Sequence, residues 1–235
     1  MVNRTILECP VKFDRTSFFD LFSLSAAAMI SRQNKMGELV VGDNNWSYDI
    51  RNRQLAFGGN RFSAGILGTE NEREHTWLWA WANTESNLPE LAAAPSRRAR
   101  RALAGVQEFS EGKFMLEDEL HTAHNLAMVS CAVNDKPVCY YRCPYDGGAM
   151  FVQPEGLPEE VFAPVSQTEL MRTFLEVIGA LYCDHRLLAA GFLYMNGNEF
   201  IEEEDSITAQ IDGRRLKFTF EKVGELSRTA DISQV

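Results

Sequence analysis

Three of the four tryptophans of this chain stand at alternate positions in one short run, as Trp77, Trp79 and Trp81. Successive side chains of a β-strand point to opposite faces of a sheet, so this spacing places the three indoles on one face. On a helix the same residues would spread over more than half of the circumference, and tryptophan favours the pleated surface of a sheet. The other face of the run is also apolar, because it carries Leu78 and Ala80. We therefore predict an interior strand with both faces covered.

Length, charge and cysteine usage limit the class of protein. The chain has 235 residues, of which 45% are hydrophobic and 24% charged, as in ordinary globular domains. Its net charge of −10 at pH 7 argues against the basic surface that nucleic-acid binding needs, so no nucleic-acid partner is expected. No apolar run approaches the roughly 20 residues that cross a bilayer, so no membrane association is expected. Five cysteines without a regular framework predict free thiols and a cytoplasmic location.

Hydrophobic periodicity organises the first half of the chain. Apolar residues at three- and four-residue spacing predict a helix over residues 17–36. The period then changes to two, and the alternating runs up to Asn83 predict a four-stranded antiparallel meander that ends with the tryptophan run. Two helices follow. The first is rich in alanine with Pro95 near its start, and the second covers residues 117–133.

The second half of the chain repeats the alternation of helix and strand signals. Residues 138–152 predict a second hairpin. Ser166 with Glu169 three residues later matches a capping box, which predicts a further helix. Residues 191–194 are interpreted as a strand, and the dipeptide at residues 212–213, Asp-Gly, predicts the turn of a last hairpin.

The element order predicts an α+β fold: an N-terminal helix packed on the antiparallel meander, two middle helices, a second hairpin, and a C-terminal helix plus hairpin. Residues 1–15 are interpreted as an N-terminal extension with a strand at residues 5–7, and residues 16–235 as a single domain. The proline-rich loop 153–165 is the place for a sub-boundary within that domain. The order of elements is similar to that of small acidic bacterial chaperones of the secretion type.

Four residues could carry metal or nucleophile chemistry. His121 and His124 lie three apart in a predicted helix, and Cys183 and His185 follow later. No second ligand pair at a metal-binding spacing and no nucleophile motif accompanies them. Whether the four meet in space is left open. We expect no catalytic residue, no metal ion and no cofactor.

A longer pattern around the tryptophans carries a resemblance to a family. It consists of Gly-Thr-Glu at residues 68–70, Trp-Leu-Trp-Ala-Trp-Ala-Asn at residues 77–83, Leu-Ala at residues 126–127, and the segment 140–149. These motifs resemble an uncharacterised bacterial family known only as a domain of unknown function, over about residues 16–155. The resemblance implies a bacterial origin and implies no activity.

Two functional hypotheses follow. The acidic, aromatic-rich chain predicts a non-enzymatic cytoplasmic module that binds a protein or peptide, of a chaperone-like or immunity type. The alternative is a small-molecule-binding or hydrolytic enzyme with a pocket on the sheet face near the tryptophan strand. In both cases the expected binding residues are the indoles and the polar residues at the two ends of the run, namely Glu70, Trp79, Trp81 and Asn83. The oligomeric state is left open.

Overall fold

A computed structural model describes residues 4–235, which form six α-helices and eleven β-strands in two antiparallel sheets. The helices are α1 Phe18–Met36, α2 Ala94–Ala102, α3 Gln107–Ser110, α4 Ala123–Ala132, α5 Gln167–Ala180 and α6 His185–Met195. The strands are β1 Trp46–Asp49, β2 Gln54–Phe57, β3 Asn60–Asn71, β4 Thr76–Trp79, β5 Lys113–Met115, β6 Tyr141–Tyr145, β7 Gly148–Glu155, β8 Phe200–Glu202, β9 Ser206–Ile211, β10 Arg214–Val223 and β11 Leu226–Gln234. The predicted α+β class is confirmed.

The first sheet has seven strands and contains the predicted meander. Strands β1 to β5 are neighbours in chain order, so the meander gains a fifth strand that the sequence patterns missed. Strand β3 is twelve residues long, and it pairs with β2, with β4 and with β7 of the second hairpin. The tryptophan strand β4 lies between β3 and β5, as predicted for an interior strand.

Helices separate this sheet from the second sheet, whose strand order is β11-β10-β9-β8. Helices α2 and α4 lie on the first sheet, and α6 lies on the second. Helix α1 runs between them and makes its main contacts with α4 and α6. These contacts place α1 one layer away from the meander. Buried residues surround most of the circumference of α1, so this helix needs other elements packed on several of its sides.

The close approach of α1 and α6 depends on Gly191. A Cβ atom at this position would lie 1.9 Å from the carbonyl oxygen of Leu24, so only glycine permits the crossing. The interpretation of residues 191–194 as a strand was wrong, since they lie in α6. A short apolar run does not distinguish a buried strand from a buried helix. The start of α6 is set by Asp184, whose carboxylate accepts the N–H groups of Arg186 and Leu187.

The helix predicted over residues 117–133 is shorter than expected, and it begins at Ala123. The side chain of Thr122 caps it by accepting the N–H of Asn125 at 3.1 Å. Before it, the carboxylate of Asp118 accepts the N–H of His121 at 2.7 Å and holds a tight turn instead of a helix. His121 therefore lies outside the helix, and the helical spacing proposed for the two histidines was wrong.

Other local predictions agree with the structure. The capping box of Ser166 and Glu169 is present at the start of α5. Asp212 and Gly213 have φ angles of 51° and 76°, as in the tight turn predicted between β9 and β10. Residues 6–8, by contrast, form a 3₁₀ turn instead of part of a strand.

The larger of two hydrophobic clusters contains buried residues from before and after the proline-rich loop 153–165. Ile6, within the predicted N-terminal extension, is also buried in this cluster. The division into an extension and one domain stays a prediction. Within residues 4–235, no helix is both long and apolar enough to cross a membrane.

Candidate binding pocket

The indole face of β4, which is the face turned toward the helices, is part of the core. Trp77 and Trp79 are fully buried there, with ring centroids 5.1 Å apart in an edge-to-face arrangement. Phe151 of β7 packs against Trp77, and Phe109 of α3 packs against Trp79. The indole N–H of Trp79 donates to the carbonyl oxygen of Glu108 at 2.8 Å. Rings packed this closely leave no room for a ligand.

Trp81 lies beyond the end of β4, so the prediction of three indoles on one strand was wrong, although its partly buried ring packs against the same hydrophobic cluster as Trp77 and Trp79. Strand β4 ends at Trp79, whose carbonyl oxygen accepts the N–H groups of Ala82 and Asn83 in a turn. The backbone N–H of Trp81 donates to the hydroxyl oxygen of Ser96 at 3.1 Å. Its ring is half-buried beneath the guanidinium of Arg100, 3.8 Å from the ring centroid, a geometry that stabilises both groups.

Glu70 lies on the indole face at the end of β3, opposite Trp77 in the strand register. Its carboxylate lies 3.7 Å from Nε of Arg142. Burial raises the pKa of Glu70, although the nearby charge of Arg142 acts in the opposite direction. Glu72 also pairs with Arg142, so the two carboxylates form an ion-pair cluster at the rim of the sheet.

The opposite face of the same strands leaves a cavity, which we name the sheet pocket. Its volume is about 300 Å³. It is lined by Ile50, Ile66, Thr69, Leu78, Ala80, Asn83, Ser86, Leu88, Tyr145 and Met150. Of the four residues that the sequence singled out for binding, only Asn83 lines this pocket. The other three lie in the core, at the rim of the indole face or beneath Arg100.

The floor and the rim of the sheet pocket have different origins. Thr69 and Leu78 face each other in the register of β3 and β4 and belong to the floor. The rim includes the loop 83–88, where the side-chain oxygen of Asn83 accepts the N–H of Ser86 at 3.1 Å. Tyr145 adds a half-exposed phenol to the lining. The pocket thus combines an apolar floor with a few polar groups, as ligand sites do.

The sequence contained a usable signal for this pocket. The alternation that assigned Trp77 and Trp79 to one face also assigned Leu78 and Ala80 to the other, and both of these line the pocket. What the alternation could not show was how completely the second face is covered. That depends on the conformation of the loop 83–88 and on Ile50 and Met150, which come from distant parts of the chain.

The histidines and Cys183 do not form one site. His121 lies between the carboxylates of Glu108 and Asp118, each 2.9 Å from a ring nitrogen. His124 contacts the phenol of Tyr140 at 2.9 Å. The N–H of Thr229 donates to Nδ1 of His185 at 3.1 Å, close to Cys183 but on the far side of the helices.

The electrostatic surroundings of these groups offer neither a metal site nor a reactive thiol. Residues 4–235 contain no group of three or more histidine, cysteine, aspartate or glutamate side chains placed to hold a metal ion. The five cysteines are free and buried. Burial raises the pKa of Cys183 to about 12, as it does for Cys131 and Cys143, so these thiols stay protonated at neutral pH.

The fold and the sheet pocket define an α+β protein with two antiparallel sheets around a layer of helices. Comparison with protein-family models shows to which family the chain belongs. The model of a family of unknown function (DUF6882) matches residues 20–155, more than half of the chain, and the chain belongs to that family. The matched region contains every residue of the sheet pocket. Searches of curated proteins and of solved structures find no match.

Proposed function

We propose that this chain is a non-enzymatic binding module of the bacterial cytoplasm whose sheet pocket takes one large apolar side chain from a peptide or protein partner. The observation that carries the proposal is the chemistry of the lining. Among the described residues that line the pocket there is no histidine, aspartate, glutamate, lysine or arginine. Tyr145 is the one titratable side chain among the described lining residues, and burial raises its pKa, which makes it a poor general base at neutral pH, so this lining suits binding better than hydrolysis.

The size of the pocket supports a side chain as the occupant. Small-molecule sites occupy about 300–1,000 Å³, and this pocket of about 300 Å³ lies at the lower limit. It has room for one aromatic ring or one branched aliphatic group. Single apolar side chains that fill a pocket are the anchors that dominate many protein interfaces.

The rim supports recognition of the chain that carries this anchor. Asn83, Ser86 and Tyr145 offer an amide and two hydroxyl groups around the apolar floor. Such groups can hydrogen-bond to the main chain of a partner, which fixes its direction without selecting its sequence. The selection would then come from the apolar residue in the pocket.

A display experiment with matched variants tests the proposal. A library of random peptides displayed on phage is selected against the full-length protein and against two variants, Ser86→Trp and Thr84→Trp. Both positions are exposed in the loop after β4, but only Ser86 lines the pocket. We expect the unmodified protein and Thr84→Trp to enrich peptides that share one large apolar residue, and Ser86→Trp to lose at least tenfold in affinity for them.

Two outcomes would overturn the proposal. One is a selection that enriches no peptide class in repeated rounds. The other is a set of enriched peptides that bind Ser86→Trp as tightly as they bind Thr84→Trp, because binding would then take place elsewhere. Circular dichroism and urea unfolding of both variants show whether either substitution perturbs the fold.

The second candidate, a small-molecule site in the same pocket, rests on the pocket volume alone. A screen of fragments detected by ligand NMR separates the two functions. Fragments that compete with an enriched peptide place both ligands in the sheet pocket. Fragments that bind tightly when no peptide class has been found would favour the small-molecule function.

A further inference from the structure

A larger cavity lies between α2, the segment after α4 and the proline-rich loop after β7. Its volume is about 540 Å³, well within the range of small-molecule sites. We name it the Arg98 cavity. It is lined by Arg98, Asn134, Asp135, Lys136, Pro137, Val138, Pro154, Glu155, Gly156, Leu157, Glu159 and Phe162. It shares no lining residue with the sheet pocket.

A buried polar network fixes the orientation of Arg98. Its Nη2 donates to the side-chain oxygen of Gln153 at 3.2 Å, and Gln153 is only 1% exposed. The amide of Asn134 approaches the same oxygen at 3.4 Å, and the amide nitrogen of Gln153 lies 3.5 Å from Sγ of Cys131. A buried glutamine held on both sides is a rigid support for the guanidinium at the cavity wall.

The hydrogen-bonding capacity of Arg98 is not used up by the chain. Its one side-chain hydrogen bond within the described residues uses Nη2, which leaves Nη1 free on a side chain that is 37% exposed, whereas the unpartnered Nε is buried and not accessible to a ligand. The carboxylate of Glu155 forms an ion pair with this guanidinium at 3.9 Å from Nη2, a distance too long for a hydrogen bond. A guanidinium has five N–H donors in a planar fork that fits a carboxylate, so an oriented arginine with spare donors is suited to bind one.

The rest of the lining restricts the ligand further. Asp135, Glu155 and Glu159 bring three carboxylates to the same cavity, which disfavours a multiply charged anion such as a phosphate ester and favours a ligand that also carries a cation. Leu157 and Phe162 form an apolar wall beside these charges. The ligand should therefore combine a carboxylate, an ammonium group and an apolar portion.

We propose that the Arg98 cavity binds a free α-amino acid with an apolar side chain. Arg98 binds its carboxylate, the acidic residues stabilise its ammonium group, and the apolar wall contacts its side chain. The net charge of such a ligand is zero, which matches a lining that carries both signs. The proposed binding of an amino acid does not depend on the function proposed for the sheet pocket.

Calorimetric titration of the full-length protein at pH 7 tests it on the unmodified chain. The probes are L-leucine, L-phenylalanine, 4-methylpentanoate and 3-methylbutylamine, of which the last two each lack one charged group of leucine. We expect saturable binding of at least one amino acid. We also expect binding at least tenfold weaker for both single-charge analogues, because each leaves a charged group of the cavity without its partner.

Two variants locate the binding site. Arg98→Gln should weaken amino-acid binding at least tenfold, whereas Arg97→Gln, on the exposed side of the same helix, should leave it unchanged. Urea unfolding shows whether Arg98→Gln is folded. If it is not, Lys136→Gln at the cavity wall replaces it, with a smaller expected weakening of about twofold to threefold.

The proposal fails if neither amino acid binds saturably up to about 20 mM. It also fails if 4-methylpentanoate binds as well as leucine, or if Arg98→Gln folds and binds leucine unchanged. Ser86→Trp, which blocks the sheet pocket, should bind the amino acid normally. A loss in that variant would place the amino acid in the sheet pocket instead and would overturn the assignment to the Arg98 cavity.

Discussion

The two faces of strand β4 have similar sequence character and different structural roles. On the indole face, Trp77 and Trp79 are fully buried against aromatic side chains from α3 and β7. On the other face, Leu78 and Ala80 border a cavity of about 300 Å³. Hydrophobic residues on both faces show that both are covered, but the quality of the packing depends on which elements provide the cover.

The difference lies in how each face is closed. The indole face is closed by rings with defined edge-to-face contacts and by a hydrogen bond from Trp79 to α3. The pocket face is closed in part by the loop 83–88, in which Asn83 and Ser86 hydrogen-bond to each other. A loop held by its own hydrogen bonds covers a sheet without filling every space beneath it, and such places are where ligand sites form.

The largest expected effect distinguishes the buried Trp79 from the half-buried Trp81. Trp79→Ala should lower the free energy of unfolding by about 3–5 kcal/mol, because it removes a fully buried ring from a packed cluster. Trp81→Ala should cost less than half of that, since its ring is half-buried and its main specific contact is with Arg100. Urea unfolding of both variants measures the difference, and equal losses would contradict the distinction between core and rim.

A substitution in β3 tests how tightly the indole face is packed. A Cβ at Gly68 would lie 2.3 Å from Cζ2 of Trp77 and 2.8 Å from the carbonyl oxygen of Leu78. Gly68→Ala should therefore destabilise the protein by about 1–3 kcal/mol through overpacking. Gly59→Ala is the control, because its Cβ would meet no atom within 4 Å, and its effect should stay within about 0.5 kcal/mol. Similar thermal midpoints for the two variants would show that the indole face can relax.

Truncation on the pocket face should cost less than truncation in the core. Leu78→Ala should lower the free energy of unfolding by about 1–2 kcal/mol, below the range of about 2–5 kcal/mol for fully buried leucines. The reason is that Leu78 is partly exposed and already borders an open space. Leu126→Ala in α4, at a fully buried position, serves as the matched reference for core packing. A loss for Leu78→Ala above that of the reference would mean that the pocket is closed in solution.

The smallest expected effect is a pH dependence at the end of the indole face. Partial burial lowers the pKa of His121, but its hydrogen bonds with Glu108 and Asp118 more than compensate, and the pKa lies above its ordinary value. This histidine therefore stabilises the fold below about pH 6.5, and the contribution disappears as the pH rises through the raised pKa. Its magnitude should be under about 1 kcal/mol, because the side chain is partly exposed.

Replacing the histidine separates this contribution from the rest of the protein. His121→Gln should flatten the pH dependence of unfolding just above about pH 6.5, measured by urea titration at a series of pH values. Substitution of His124 in the same pH series is the matched control, because the opposite sign is expected. Burial lowers the pKa of His124, so its protonation should destabilise the fold below about pH 6.5. An unchanged profile in His121→Gln would show that the contacts with Glu108 and Asp118 are absent in solution.

Much of the local structure follows from short-range rules. The capping box at Ser166, the turn at Asp212 and the alternation in the meander depend on neighbouring residues, and each prediction was confirmed. The failures have physical causes of longer range. Residues 191–194 lie in α6, which is buried on most sides, and a short apolar run does not distinguish a buried helix from a buried strand. Before residue 123, a turn around Asp118 replaces the predicted helix.

The candidate site was harder to predict than the elements that build it. The four predicted binding residues are close in sequence but lie in different surroundings. Glu70 belongs to β3, and β4 ends at Trp79, so Trp81 and Asn83 lie beyond the strand. Only Asn83 reaches the sheet pocket, and its partners there include Ile50 and Met150, which are distant in the chain. The Arg98 cavity likewise combines α2 with the proline-rich loop, and no local pattern joins these segments.

The amino-acid sequence by itself determined the α+β class, the meander, the starts of α1, α2 and α5, the interior position of the tryptophan strand and the membership of a family. These depend on side-chain periodicity and on hydrogen bonds between near neighbours in the chain. Only the tertiary structure decided which face of that strand became solid core and which kept a cavity. Packing density is a property of the elements that meet, and the elements that cover the two faces come from separate parts of the chain.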